Sequence, residues 1–303
     1  MRTGAWYKSS IAVISAVAVL GSGACADSES GGASTSSTAA TTESTTAIDI
    51  EAVAGRVPPS IQKAGRLVVA TNAPFAPMEF QRGDDLVGFD VDLVEAIAAH
   101  LELDVEFKQV RFASVVTTVA DGGADLAARG LFDTKERERQ IDMVSYLRAG
   151  TQWARRTGTD VDPYDACGTR VGAEKATTQA DVELPAKSDA CEVVGEPPLD
   201  IVEFETETEV FQALTAGRVD AVSVDSPVAL YAAAQSAGAI EPAGHAFDTR
   251  PYAFGVAKGS ELGPVLSAVV QSMIDSGELE EIAQRWGLER GVVHRSLLNA
   301  AVA

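Results

Sequence analysis

Residues 67–101 read LVVATNAPFAPMEFQRGDDLVGFDVDLVEAIAAHL, and this stretch sets the fold class. Leu67 to Thr71 is apolar and partly β-branched, the composition of a buried strand. It ends at Asn72 and enters Pro74-Phe75-Ala76-Pro77, whose prolines exclude a helix interior. Gly83-Asp84-Asp85 is a turn signal. Asp90 then stands where an N-cap would, ahead of Val91, Val94, Ile97, Ala98 and Leu101 on one helical face. Val105 to Val110 reads as the next strand. Strand, loop, helix and strand make a β-loop-α-β unit, and in open α/β sheets ligands sit at the carboxyl ends of the strands. The Asn72 to Phe80 loop is therefore the first candidate binding element, although Phe75 and Met78 equally fit a role as loop anchors.

The alternation recurs. Ser114 to Ala120 reads as a helix with Val115, Val116 and Val119 inward, and Ala124 to Ala128 as a short strand. Arg129-Gly130-Leu131-Phe132-Asp133-Thr134 follows at that strand's carboxyl end, with Thr134 placed to cap Lys135 to Gln140. Val144 to Ala154 is the crossover out of this set. A second set begins with strand Thr169 to Ala173, a helix opened by Ala176-Thr177-Thr178, and a strand from Val193-Val194 or from Ile201 to Phe204. Helix Thr208 to Thr215 and strand Val219 to Val224 follow, with Asp225-Ser226-Pro227 leading into helix Val228 to Ser236. Strand Tyr252 to Ala257 and helices Leu262 to Ser276 and Leu279 to Trp286 close the pattern. Two sets of α/β units fit two similar lobes, with hinges near Tyr146 to Gln152 and Phe247 to Tyr252.

A chain of 303 residues, 46% of them hydrophobic, has room for one large or two medium domains with sizeable cores. Its net charge of -20 sets it against nucleic acid, or an anionic lipid surface, as a general partner. Arg2 and Lys8, an apolar run from Ile11 to Leu20, and Gly21-Ser22-Gly23-Ala24 before Cys25 follow the plan of a secretory signal over residues 1–24. Small residues before a Cys also resemble a bacterial lipoprotein box. Cys25 would then be lipidated and would anchor an exported chain to the outer face of the cytoplasmic membrane. Ser22 stands where such boxes have a large aliphatic, and ordinary cleavage is the alternative. Ala26 to about Thr46 cannot bury a core and reads as a flexible tether, followed by a helical lead-in from Ile48 to Ala64. Cys167 precedes a strand and Cys191 follows the helix after it, so the two ends share a side of the sheet and a disulfide fits. His100, His245 and His294 lack ligand spacing, and neither a metal nor a cofactor is expected.

Three pieces in order carry a family likeness. They are Val69-Ala70-Thr71-Asn72 with Phe75 and Pro77-Met78-Glu79-Phe80, then Gly88-Phe89-Asp90-Val91-Asp92-Leu93, then Thr134-Lys135-Glu136-Arg137. Together they resemble the amino-acid family of extracytoplasmic solute-binding proteins of ABC importers, and the glutamine-binding type in particular. The likeness runs from about Gly65 to about Leu288. It implies an α/β, two-lobe periplasmic-binding-protein fold of type II, with a ligand cleft between lobes joined by two hinge strands. Lobe 1 would take residues 56–148 and 253–290 and lobe 2 residues 149–252, with a lipidated-Cys and tether segment at 25–55 and a tail at 291–303. It further implies a monomer that binds a free amino acid by lobe closure and docks on ABC permease subunits, and not an enzyme.

The same resemblance assigns the site. Arg137 lies where the family's carboxylate-binding arginine lies, and a guanidinium grips a carboxylate with two parallel bonds. Asp225 matches the acid that receives the ammonium from the second lobe, and as a strand-end residue before Pro227 it also fits a helix N-cap. Phe75 and Phe112 match rings packed on the ligand, with a core residue as the alternative for Phe112, and Gly130 matches a backbone contact; independently of the resemblance, the turn at Ala176, Thr177 and Thr178 offers unpaired N–H groups for an oxygen. Four departures bear on the ligand. Asn72 stands where the family often has the acid that holds basic side chains, Arg129 and Phe132 replace small or hydroxyl residues, and Glu174 falls where the glutamine type has a lysine. They point to a polar neutral or acidic amino acid, glutamine- or glutamate-like. Two rivals are a ligand-presenting sensor subunit and a dehydratase or lyase on the same scaffold, for which Glu174 is the acid to name.

Overall fold

The computed structural model describes residues 48–302, so the signal segment, Cys25 and the tether up to residue 47 lie outside the described residues. Helices α1 (Ile50–Ala54) and α2 (Pro59–Ala64) lead into β1 (Arg66–Thr71). The loop after β1 reaches a small hairpin, β2 (Phe80–Arg82) and β3 (Asp85–Val87), turned at Gly83 with φ 67°. Then come α3 (Phe89–His100), β4 (Asp104–Gln109), α4 (Val115–Ala120), β5 (Leu126–Phe132), α5 (Lys135–Glu138) and a 16-residue strand β6 (Ile141–Arg156). The second set is β7 (Arg170–Glu174), α6 (Leu184–Val194), β8 (Asp200–Phe204), α7 (Glu207–Thr215), β9 (Ala221–Asp225) and α8 (Ser226–Gln235). An 18-residue strand β10 (Ile240–Ala257) and helices α9 (Leu262–Ser276) and α10 (Glu278–Trp286) complete the elements.

Eight strands form one sheet in the order β4-β1-β5-β10-β6-β9-β7-β8. Parallel ladders join β4, β1 and β5 on one side and β9, β7 and β8 on the other. Between them the antiparallel pair β6 and β10 belongs to both halves. Tyr252 to Val256 of β10 pairs with β5, while Thr151 to Arg155 of β6 pairs with β9. The β6–β10 register shifts between Ala243 and Phe247 and again between Phe247 and Arg250, which marks the handover from one half to the other. Each half carries apolar cores on both faces of its sheet. The largest joins Leu67, Val69 and Ile97 to Val265, Val269 and Leu279, so α9 and α10 return to the first half.

Several expected boundaries move. Asp90 is not an N-cap: Gly88 precedes α3, because its φ of 146° and the approach of a Cβ within 2.0 Å of the Met78 carbonyl oxygen admit only glycine there. Asp90 faces inward instead. Arg129 to Phe132 are not loop residues beyond a strand; β5 continues through them because Leu131 and Phe132 pair with Ala253 and Tyr252. Val193 and Val194 end α6 and are exposed, so the strand there is β8. The tether does not extend to residue 55, since α1 is helical and Val53 packs into the first core. The last residues are no loose tail. Val292 and Leu298 bridge to Leu147 and Val144 of β6, and Asn299 Oδ1 accepts the Met143 N–H at 2.9 Å. Cys167 and Cys191 are bonded, with Cα atoms 5.6 Å apart. No described helix is long and apolar enough to cross a membrane.

Candidate functional site

The carboxyl ends of β1, β5, β7 and β9 bring residues of both halves to one enclosed gap. Phe75, Phe112, Arg129, Gly130, Phe132 and Arg137 line it from the first half. Glu174, Thr177, Thr178, Gln179, Glu207 and Asp225 line it from the second. Ten of the eleven residues assigned to the ligand therefore meet at this gap. Asn72 is the exception, because its side-chain amide donates to the Val110 carbonyl at 2.7 Å and ties the β1 and β4 ends together. The gap itself has about 10 Å³, room for about one water. A mouth of about 390 Å³ adjoins it, bordered by Ala113, Val116, Arg137, Ala176, Asp181 and Arg250.

Local chemistry explains each placement. Phe75 donates its N–H to the Glu79 carbonyl at 2.7 Å, closing the proline-bounded loop over the first core, so it is both anchor and lining. Gly130 has φ 52°, and a Cβ there would lie 2.8 Å from the Phe75 ring. Its N–H is already donated to Asp90 Oδ2 at 2.8 Å. Thr134 caps α5 by accepting the Arg137 N–H, and Arg137 Nη1 donates to the Phe132 carbonyl at 2.9 Å. Burial lowers the Arg137 pKa to about 10, which leaves it a cation at neutral pH. Thr177 Oγ1 donates to the Glu174 carbonyl at 2.7 Å and holds the turn that opens into α6.

Asp225 is buried and accepts from Gln179 Nε2 at 2.6 Å and from the Tyr252 hydroxyl at 2.5 Å. Burial raises its pKa to about 6 against those two bonds and the charges of Arg129 and Arg137. Asp90 accepts from Gly130 and from Tyr146 and is raised to about 7, again chiefly by burial. Burial also raises Glu79 and Glu207, whose carboxylates crowd those of Asp90 and Glu174 respectively. Arg129 is fully enclosed and pairs with Glu174 of the opposite half, and burial of its charge is outweighed by Glu174 and Glu79. Sequence reasoning missed Gln179, Glu207, Tyr252 and Asp90 as parts of this cluster. Gln179 was within reach, one residue past Thr178 in the singled-out turn. Among the described residues no group of three or more His, Cys, Asp or Glu side chains could hold a metal ion.

A two-half α/β molecule with its polar cluster between the halves matches the family model of bacterial extracellular solute-binding proteins, family 3, over residues 67–289. The chain belongs to that family. The arginine-binding protein ArgT of Corynebacterium glutamicum is 35% identical over 246 residues, covering 80% of this chain and 81% of ArgT. The glutamine-binding protein GlnH of Bacillus subtilis is 27% identical, covering 67% of this chain and 73% of its own. The solved structure of an ancestral arginine-binding protein bound to arginine superposes with a TM-score of 0.66 at 32% identity, covering 73% of this chain and 98% of that one. An ancestral amino acid-binding protein described as a precursor of cyclohexadienyl dehydratase also matches, with a TM-score of 0.66 at 27% identity. Membership in family 3 gives the expected fold, and the relatives named by ligand are amino-acid-binding proteins.

Proposed function

We propose that this family 3 protein binds a free amino acid between its halves and delivers it to an ABC permease in the membrane. The observation that carries the reading is the pairing of Arg137 and Asp225, one from each half, on the lining of a single gap. Arg137 receives the ligand carboxylate and Asp225 its ammonium, each buried charge needing a partner. The small gap belongs to a form with the halves together, so the ligand enters when β6 and β10 flex and the halves part. Closure is then a population shift driven by contacts made only in the closed form. A neutral polar cargo of the glutamine class suits the site as it stands. Arg129 fills the space between Phe75 and Phe112 and is already paired with Glu174, so a neutral polar side chain leaves no further charge to balance. The molecule acts as a monomer, exported and held at the membrane through Cys25. We read it as a binder and not an enzyme, because Glu174, the acid named for catalysis, is already paired with Arg129.

The test is a thermal-shift panel against the twenty amino acids, repeated on Arg137→Ala. A ligand at a hundredfold its Kd adds about 2.7 kcal/mol, a rise of roughly 5–10 °C for a chain of this size. One amino-acid hit that Arg137→Ala removes supports the reading; no hit, or a hit indifferent to Arg137, refutes it.

A further inference from the structure

Arg129 is held in a way that a surface or core arginine is not. Its Cζ lies 3.5 Å from the centre of the Phe75 ring and 4.1 Å from that of Phe112, so two aromatic rings pack against one planar cation. Nη2 pairs with Glu174, and Nε lies 3.8 Å from Glu79 Oε1. The carboxylates exceed what this one guanidinium uses. Both oxygens of Glu79 are buried without a hydrogen-bond partner, and Arg129 Nε has none either, while Glu207 and Glu174 meet carboxyl to carboxyl. Two ring faces with carboxylates beyond them form a guanidinium slot. The Arg137 guanidinium sits 5.7 Å from the same Phe112 ring, so slot and carboxylate clamp adjoin within the span of one extended amino acid.

We infer that Arg129 is a specificity-determining residue: its own side chain occupies the guanidinium slot of the cleft, and a cationic amino acid must compete with it for that place. The inference rests on reading the gap as an amino-acid site. Removing the Arg129 side chain opens a slot with two rings and the carboxyl groups of Glu79, Glu174 and Glu207 and no cation, set beside the clamp that takes a carboxylate. L-arginine satisfies both ends at once. Arg129→Met removes the charge but keeps a chain between the rings, so it does not open the slot.

The experiment is calorimetric titration of L-arginine and L-glutamine into the wild type, Arg129→Ser and Arg129→Met. Arg129→Ser/Glu79→Gln is a fourth protein, in which one unpaired carboxylate is neutralised to protect folding. The expected result is a gain of about tenfold or more in L-arginine affinity for the two serine variants, equivalent to about 1.4 kcal/mol. No such gain appears for L-glutamine or in Arg129→Met, and adding Arg137→Ala removes it. Ethylguanidinium also raises the Tm of Arg129→Ser and not that of the wild type. If the wild type binds an amino acid through Arg137 but neither serine variant gains L-arginine, the slot assignment is overturned and the clamp stands. If no protein in the set binds any amino acid, both readings fall.

Discussion

Asp90→Asn isolates what a buried carboxylate at the centre of the first half does to stability. Asp90 is 1% exposed, yet it accepts both the Gly130 N–H and the Tyr146 hydroxyl at 2.8 Å. Burial outweighs those bonds and raises its pKa to about 7. The unfolded chain releases the same proton near pH 3.9, as an ordinary Asp does (about that value). The folded chain therefore holds the proton more tightly, and the stability this contributes is complete below the unfolded value and is lost as pH rises through about 7. Between pH 5 and 7 the loss is about 1.4 kcal/mol per unit, or roughly 2–3 kcal/mol. At about 2–4 °C per kcal/mol for a domain of this size, Tm falls by roughly 5–10 °C. Asn preserves the geometry, with Oδ1 accepting from Gly130 and Nδ2 donating to the Tyr146 oxygen, and it carries no charge at any pH. Urea unfolding of the ligand-free wild type and Asp90→Asn at pH 5, 6, 7 and 8 reads the difference directly. The variant should gain on the wild type by about 2–3 kcal/mol from pH 5 to 8. Parallel pH profiles would show that Asp90 folds as a carboxylate whose charge its surroundings balance, and would refute the argument.

Three further outcomes are expected. On the proposed role of Asp225 as the acid that receives the ligand ammonium, affinity should fall as pH drops through about 6, and titration calorimetry of Asp225→Asn should show weak binding without that pH dependence. Gly130→Ala should cost about 1–3 kcal/mol and weaken binding, read by urea unfolding and calorimetry, since φ 52° and a 2.8 Å approach to Phe75 both oppose a methyl. Replacing Cys167 and Cys191 with Ser should lower stability by about 2–4 kcal/mol, with hydrogen exchange rising most around α6 and β7.

What the chain discloses in advance is governed by range. The β1, α3 and β4 run is legible because periodicity is a local property, and Val91, Val94 and Ile97 are buried as their spacing requires. Asp90 was legible as an acid near a helix start but not as a buried one, since its partners, Gly130 and Tyr146, lie 40 and 56 positions away. Glu207 opens α7 beside Glu209, the ordinary look of a solvated first turn. Only the arrival of β7 and Arg129 across the gap encloses it. Arg129 is the sharpest case. Its residue type flagged it as a departure, but the pairing with Glu174 spans 45 positions and both halves, and no local pattern encodes a sandwich between Phe75 and Phe112.

The closing position of α9 and α10 has a consequence for biogenesis. The largest core joins Val53 and Leu67 to Leu279 and Ala283, so it cannot be sealed until nearly the whole chain is free to fold. The second half, between the two shared strands, is contiguous, and its disulfide partners are 24 positions apart, so it can settle while the first half still waits. Until α9 docks, the apolar faces of α3 and β1 stand uncovered. The folding protein is thus most exposed to proteases and to aggregation in the half that begins its sequence, and chaperone demand should track that half.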